Sequence, residues 1–336
     1  MAIRVAINGF GRIGRLVFRL MEEDSDFDVV AINDLTDAAQ LAYLLKYDTS
    51  HRRYKVDKIS STDDSIIIDN RKIKVYSEKD PSNLPWKDLN IDVVFECTGF
   101  FTSLESASAH VNAGAKKVII SAPAKGDLKT IVYNVNHETL TGEEQVISAA
   151  SCTTNCLAPV MKLLCDNYGV EKGYMTTVHA YTNDQSTLDV AHKKGHLARR
   201  GRAAAANIVP ATTGAASAIG LVIPELKGKL DGIAMRVPVT TGSVIDLTLE
   251  LSKKVTKEEI NELFKNNQTE TIMYTEDPIV SSDVIGMECG SLVDGLSTNV
   301  IEVDGKQLVK ILSWYDNEMS YSAQMVRTAK YLVKKH

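Results

Sequence analysis

Arg4-Val5-Ala6-Ile7-Asn8-Gly9-Phe10-Gly11-Arg12-Ile13-Gly14 is the stretch on which the reading of the fold turns. Residues 4–8 form a short apolar strand, the glycines follow at once as G-x-G-x-x-G, and Leu16, Val17, Leu20 and Met21 open a helical period behind them. A dinucleotide-binding motif requires that succession of strand, turn and helix. Gly9 permits the tight turn, Gly11 lets backbone approach a pyrophosphate, and Gly14 lets the helix pack closely on the strand, while the helix start attracts phosphate charge. A second apolar run, residues 28–34, ends in Asp34 about 20 residues beyond the glycines, where a carboxylate meets the adenosine ribose hydroxyls and repels a 2′-phosphate. The cofactor read from this stretch is NAD.

Strand and helix patterns then alternate. A short helix at 41–45 is followed by small strands at 54–59, 65–68 and 72–76, a buried-type strand at 92–96, a loop at 97–102, a helix at 104–113 and a strand at 117–123. Alternation at these lengths implies a Rossmann-type, doubly wound parallel sheet with helices on both faces. Ligands bind at the carboxyl ends of such strands, which makes Thr98, Gly99 and Ser121 cofactor neighbours. Cys97 reads as a core residue, because free cysteine is usually buried.

Ser151-Cys152-Thr153-Thr154-Asn155-Cys156 begins a second helical period. With Ser151 as its N-cap, the Cys152 thiol sits where unpaired N–H groups and the helix dipole favour a thiolate. The strand at 174–182 delivers His179 near its end, and a Cys/His pair is a standard way to obtain a strong sulfur nucleophile at neutral pH. The other histidines read as local, solvent-facing or part of a basic loop. That loop, 183–202, carries Lys193, Lys194, Arg199, Arg200 and Arg202 and is long for a compact domain. Its arginines either bind phosphate through paired hydrogen bonds or form a solvated face. Thr213 and Gly214 precede an Ala-rich helix and make another anion cradle. Strands at 233–238, 242–251, 298–303 and 307–314, with a helix at 257–264, suggest a separate α+β domain with a mostly antiparallel sheet.

At 336 residues the chain fits two domains. The expected division is 1–151 as the NAD-binding domain, completed by the C-terminal helix 317–336, and 152–316 as the catalytic domain. A composition 44% hydrophobic and 24% charged suits a globular protein, and a net charge of −5 argues against nucleic acid as the main partner. Five cysteines in no zinc-site spacing point to a reducing, cytoplasmic setting with no metal. The first residues run straight into a strand with no secretory pattern, and no apolar run has membrane-spanning length, so neither export nor a membrane span is expected.

Four blocks, Ala6 through Arg15, Ser151-Cys152-Thr153-Thr154-Asn155, His179-Ala180-Tyr181-Thr182 and Trp314-Tyr315-Asp316-Asn317-Glu318, occur in the order seen in phosphorylating glyceraldehyde-3-phosphate dehydrogenases, and the chain resembles that family from end to end. The resemblance implies that Cys152 attacks the aldehyde of glyceraldehyde 3-phosphate, with His179 as its base. A hemithioacetal passes hydride to NAD, and inorganic phosphate cleaves the resulting thioester to 1,3-bisphosphoglycerate. It further implies that Thr182 and Arg236 hold the substrate phosphate and that Ser151, Thr153, Arg200, Thr213 and Gly214 surround the attacking phosphate. Gly9, Gly11, Arg12, Ile13, Gly14, Asp34, Lys79, Ser121 and Asn317 are the implied cofactor contacts, and the implied assembly is a homotetramer. Lys79 stands where many relatives have arginine, Val190-Ala191 replaces a common Leu-Pro pair, and Arg199 is the alternative to Arg200. The competing readings are an erythrose-4-phosphate dehydrogenase and a redox-sensing or RNA-binding protein, with Cys156 as the resolving thiol of a redox sensor.

Overall fold

Residues 3–8, apolar but for Arg4 and the closing Asn8, pair in parallel with Phe27–Asn33 on one side and Val93–Glu96 on the other. The strands are apolar nearly throughout because helices cover both faces, leaving no solvated side on which polar residues would alternate. The computed structural model describes residues 2–192 and 195–335; Lys193 and Lys194 of the basic loop, and His336, lie outside the described residues.

The chain divides into two compact units, Met1–Ser151 with Ser322–His336, and Cys152–Tyr321. In the first, the sheet runs in the order Val146–Ser148, Lys117–Ile120, Val93–Glu96, Ile3–Asn8, Phe27–Asn33, Arg71–Tyr76, Ser65–Ile68, Ile59–Thr62. The first six strands are parallel, and the last two are added by successive antiparallel pairings. The helix Arg12–Glu22 buries Leu16, Val17, Phe18 and Met21 against it, each worth roughly 1.5–3 kcal/mol if fully removed from water. The helix Leu104–Asn112 starts on a reciprocal Ser103/Ser106 cap, which satisfies N–H groups the helix cannot pair internally.

The last helix, Met319–Lys334, joins the first unit from Ser322 onward, with Lys330 bonded to Asp24 at 2.9 Å and Lys334 to Asp26 at 2.8 Å. The crossing falls at Ser322, not at 317, because the first residues after Asp316 are still tied into the second unit. Asn317 Oδ1 accepts from the Ser243 hydroxyl at 2.9 Å, and the Ser320 hydroxyl donates to the Met287 carbonyl at 2.9 Å.

The second unit holds a mixed, mostly antiparallel sheet in the order Val209–Thr212, Leu230–Val237, Val170–Ala180, Ser243–Leu251, Lys306–Tyr315, Ser291–Val303, Ile272–Thr275. Four of its pairings are antiparallel; the two parallel ones join Val170–Ala180 to Leu230–Val237 and Ile272–Thr275 to Ser291–Val303. Both outer strands escape the periodicity argument: each is short, and Val209–Thr212 contains Pro210, which only an edge strand accommodates easily. Two histidines read as solvent-facing or local are buried instead: His110 is fully enclosed, and the His51 side chain packs beside Asp48.

Candidate active site

The glycine turn of the first unit is shaped by contacts that leave no room for a Cβ. Gly9 has φ +89°, and a Cβ there would lie 2.7 Å from the Thr98 nitrogen. One on Gly14 would lie 2.1 Å from the Gly9 carbonyl oxygen, so the helix packs on the turn at backbone distance. Gly11, the N-cap of the helix Arg12–Glu22, faces open space. The Asp34 carboxylate is held by the Phe10 N–H at 2.7 Å and the Thr36 N–H at 3.0 Å.

These groups border one pocket, which Gly9, Gly11, Asp34, Lys79, Thr98 and Phe100 line together with Asn8, Asn33, Leu35, Glu78, Cys97 and Phe101. A fixed carboxylate, a helix start without side chains and apolar walls suit a dinucleotide. Gly14 and Ile13 lie in the helix behind the turn. Arg12 is directed elsewhere: its guanidinium grips the Asp48 carboxylate, one contact being 3.0 Å, and it does not border the pocket. Nor does Ser121, whose N–H bonds the Glu96 carbonyl at 2.9 Å. Cys97, read as core, is half-buried and lines the pocket.

In the second unit the thiol begins the helix Cys152–Tyr168, and the adjacent strands Val170–Ala180 and Leu230–Val237 place His179 directly opposite Arg236. The Cys152 Sγ lies 3.4 Å from His179 Nε2. His179 Nδ1 is 2.7 Å from the Ala180 carbonyl oxygen, an atom that only accepts, so Nδ1 carries the ring proton and Nε2 turns its lone pair to the thiol. Arg236 Nη1 is 2.9 Å from the same Nδ1 but has two oxygens to donate to, Ala180 O at 3.0 Å and Thr182 Oγ1 at 3.2 Å. The Tyr315 hydroxyl joins Thr153 at 2.9 Å to Thr177 at 2.8 Å, and its ring meets the imidazole edge-on.

Burial pushes the Cys152 thiol up, and burial, with the charge of Arg236, pushes His179 down to about 3. The helix start alone therefore does not supply a thiolate; desolvation outweighs it. Moving a proton from sulfur to Nε2, by contrast, adds no net charge to the buried pair, and Arg236 and the Thr153 N–H stabilise its sulfur end.

Beside the pair is a cationic cluster. Arg236 Nε is buried without a hydrogen-bond partner. Arg200 pairs with Asp184, its Nη2 donates to the Thr212 carbonyl at 3.4 Å, and its field reaches both Arg236 and His179. Arg199 is exposed whereas Arg200 is half-buried, which favours Arg200 as the inward arginine. Thr213 Oγ1 accepts the Ala215 N–H at 3.2 Å at the start of the helix Ala215–Val222, whose N-cap residue is Gly214. Asn317 Oδ1 accepts from the Ser243 hydroxyl at 2.9 Å and the Gly242 N–H at 3.2 Å, leaving the amide N–H groups as its donors.

The sequence reading missed Thr177, Asp184, Ser243 and Tyr315. It also passed over Asn8, Asn33 and Glu78, although a polar residue closing an apolar strand, as at Asn8 and Asn33, was a usable signal.

Residues 3–104 match the model of the family described as "Glyceraldehyde 3-phosphate dehydrogenase, NAD binding domain", and residues 151–317 that of "Glyceraldehyde 3-phosphate dehydrogenase, C-terminal domain". The glyceraldehyde-3-phosphate dehydrogenase of Clostridium pasteurianum is 60% identical over 98% of each chain, and that of Streptococcus pyogenes 55% identical over 99% of each. The chain belongs to the glyceraldehyde-3-phosphate dehydrogenase family. It is an NAD-dependent dehydrogenase, and the two-domain α/β architecture expected from the sequence is the one observed. No described helix of this family member is long and apolar enough to cross a membrane.

Proposed function

We propose that Cys152 and His179 carry the oxidative phosphorylation of glyceraldehyde 3-phosphate to 1,3-bisphosphoglycerate, with Arg236 and Thr182 holding the substrate phosphate. The observation that carries this reading is the 3.4 Å contact between Cys152 Sγ and His179 Nε2 beside a buried, under-bonded guanidinium. As the sulfur attacks the aldehyde carbon, its proton passes to Nε2, and the backbone N–H at Cys152 and the imidazolium steady the oxyanion of the hemithioacetal. The imidazolium returns that proton to the oxyanion, which leaves Nε2 free to take the hydroxyl proton back as the carbonyl reforms and hydride departs. NAD, when bound, supplies the hydride acceptor; Gly9, Gly11, Asp34 and Lys79 would hold its adenosine and phosphates, and Asn317 its carboxamide. Inorganic phosphate, held by Ser151, Thr153, Arg200, Thr213 and Gly214, attacks the thioester carbonyl and restores the free Cys152.

Burial of Cys156, with its thiol up at about 12 and bonded to Ser291 and Ser313, speaks against its acting as a ready resolving thiol. A homotetramer is part of the proposal, supported by Tyr174, Ile233, Ile301, Val303 and Leu308, which the pairing register sets on one exposed sheet face. Cytoplasmic residence fits five cysteines none of which is disulfide-bonded.

The deciding assay follows NAD reduction while aldehyde and phosphate are varied. Turnover that needs both glyceraldehyde 3-phosphate and inorganic phosphate is expected; turnover that ignores phosphate, or prefers erythrose 4-phosphate, would redirect the assignment. Arg236→Leu removes a charge-assisted contact worth about 1.5–3 kcal/mol. The ratio of kcat/KM for glyceraldehyde 3-phosphate to that for unphosphorylated glyceraldehyde should fall about 10- to 100-fold. Because both substrates share the thiol chemistry, an unchanged ratio removes Arg236 from phosphate recognition.

A further inference from the structure

A fully enclosed ionisable cluster lies behind the nucleotide pocket, and the reaction does not use it. The side chains of Glu96 and His110 have no exposed surface and meet at 3.0 Å. Trp86 Nε1 only donates, and it gives its hydrogen to His110 Nδ1 at 3.0 Å. The imidazole proton is therefore on Nε2, aimed at Glu96 Oε2. Asn8 Nδ2 donates to that same oxygen at 2.5 Å. The other oxygen, Oε1, accepts the Thr98 N–H at 2.8 Å and the Thr98 hydroxyl. From there the bonds continue into the pocket wall in two directions. Thr98 Oγ1 receives the Phe100 N–H at 3.1 Å. Asn8 Oδ1 receives Asn33 Nδ2 at 2.7 Å, and Asn33 Oδ1 receives the Glu78 N–H at 2.8 Å. Asn8, Asn33, Glu78, Thr98 and Phe100 line the pocket, whereas Trp86, Glu96 and His110 do not.

We propose that Glu96, His110 and Trp86 are positioning residues for NAD, a buried relay that fixes the Thr98 turn and the Asn8–Asn33–Glu78 edge at the spacing the cofactor needs. This rests on the reading of that pocket as the NAD site. Each member dictates the next, because every neighbour of the Glu96 carboxylate is a donor. An amide at position 96 would face a donor with a donor in either orientation. Towards Thr98 it meets a backbone N–H that cannot turn. Towards His110 it would require the opposite tautomer, which then opposes the Trp86 N–H. A buried donor left facing another costs about 1–3 kcal/mol, and the relay passes that cost to the pocket wall.

The test measures NAD binding to the full-length protein by calorimetry, with kcat, KM for NAD, and Cys152 alkylation in the absence of NAD. In Glu96→Gln the NAD Kd should rise about tenfold and in Trp86→Phe about threefold, while kcat at saturating NAD and the alkylation rate stay within about twofold of wild type. An NAD Kd unchanged in either folded variant overturns the relay, as does a parallel fall in kcat or alkylation, which marks general loosening. Should Glu96→Gln not fold, Trp86→Phe decides alone, since Trp86 does not touch the pocket. Asp34→Asn is the control: weaker NAD binding there with none in the relay variants sinks this inference only, and normal binding in all of them sinks the pocket reading.

Discussion

Cys152→Ser is expected to yield a folded protein that binds NAD with wild-type affinity and has lost at least about 10⁴-fold in kcat, as removal of a nucleophile does elsewhere. The exchange nearly conserves volume at a half-buried position, so the helix Cys152–Tyr168 and its buried face, including Leu157, Val160, Met161 and Leu164, are undisturbed. The loss is chemical. A serine hydroxyl gives up its proton far less readily than a thiol, and burial, which already pushes the thiol up, penalises an alkoxide further. An oxygen ester formed at this position is also a poorer acyl donor to phosphate than a thioester. NAD binding is read by calorimetry and turnover by the aldehyde assay. Retained turnover rules out sulfur catalysis, and loss of NAD binding together with turnover means the substitution damaged the fold.

His179→Asn should slow alkylation of Cys152 by iodoacetamide at least about tenfold near neutral pH and change the shape of its pH profile. His179 is pushed down to about 3, so alone it would stay neutral through the physiological range, and the thiol, pushed up, alone would ionise only above its ordinary range near pH 9. In wild type the proton leaving sulfur has Nε2 at 3.4 Å as its destination, and the ion pair carries no net charge. Asparagine keeps the polarity and much of the bulk but cannot take that proton. The thiolate must then form as a lone buried anion, so the rate should rise in a single step at alkaline pH, with a midpoint above that of wild type. An unchanged profile removes His179 as the proton partner. A faster reaction in the variant would mean that the imidazole shields the sulfur instead of activating it.

Much of the first unit was legible because its signals are local. The requirement for glycine at 14 follows from a helix packed on the preceding turn, with Gly9 and Ile7 as its close neighbours, and the positive φ of Gly9 belongs to the same local turn, whereas the close approach of Thr98 to Gly9 comes from far along the chain. Asp34 was legible for a similar reason, since the length of one helix and one strand fixes where the second strand ends. Cys152 at a helix start was legible from the polar block ahead of an apolar period. The second sheet was harder. Its edge strands are short, one contains a proline, and Ser291–Val303 has a register shift between Asp294 and Asn299 that breaks any simple alternation.

What the sequence by itself determined is the cofactor fold, the candidate nucleophile and the supply of cations near it, because each is written in neighbouring residues whose spacing sets backbone conformation and helix ends. Only the tertiary structure decided that His179, 27 residues from the sulfur in the chain, comes within 3.4 Å of it, that strand register sets Arg236 opposite His179, and that Arg12 turns to Asp48. It alone also enclosed Glu96 and His110 behind the pocket. The physical reason is that strand pairing and burial join residues far apart in the chain, and these set the desolvation and hydrogen-bond partners on which reactivity depends.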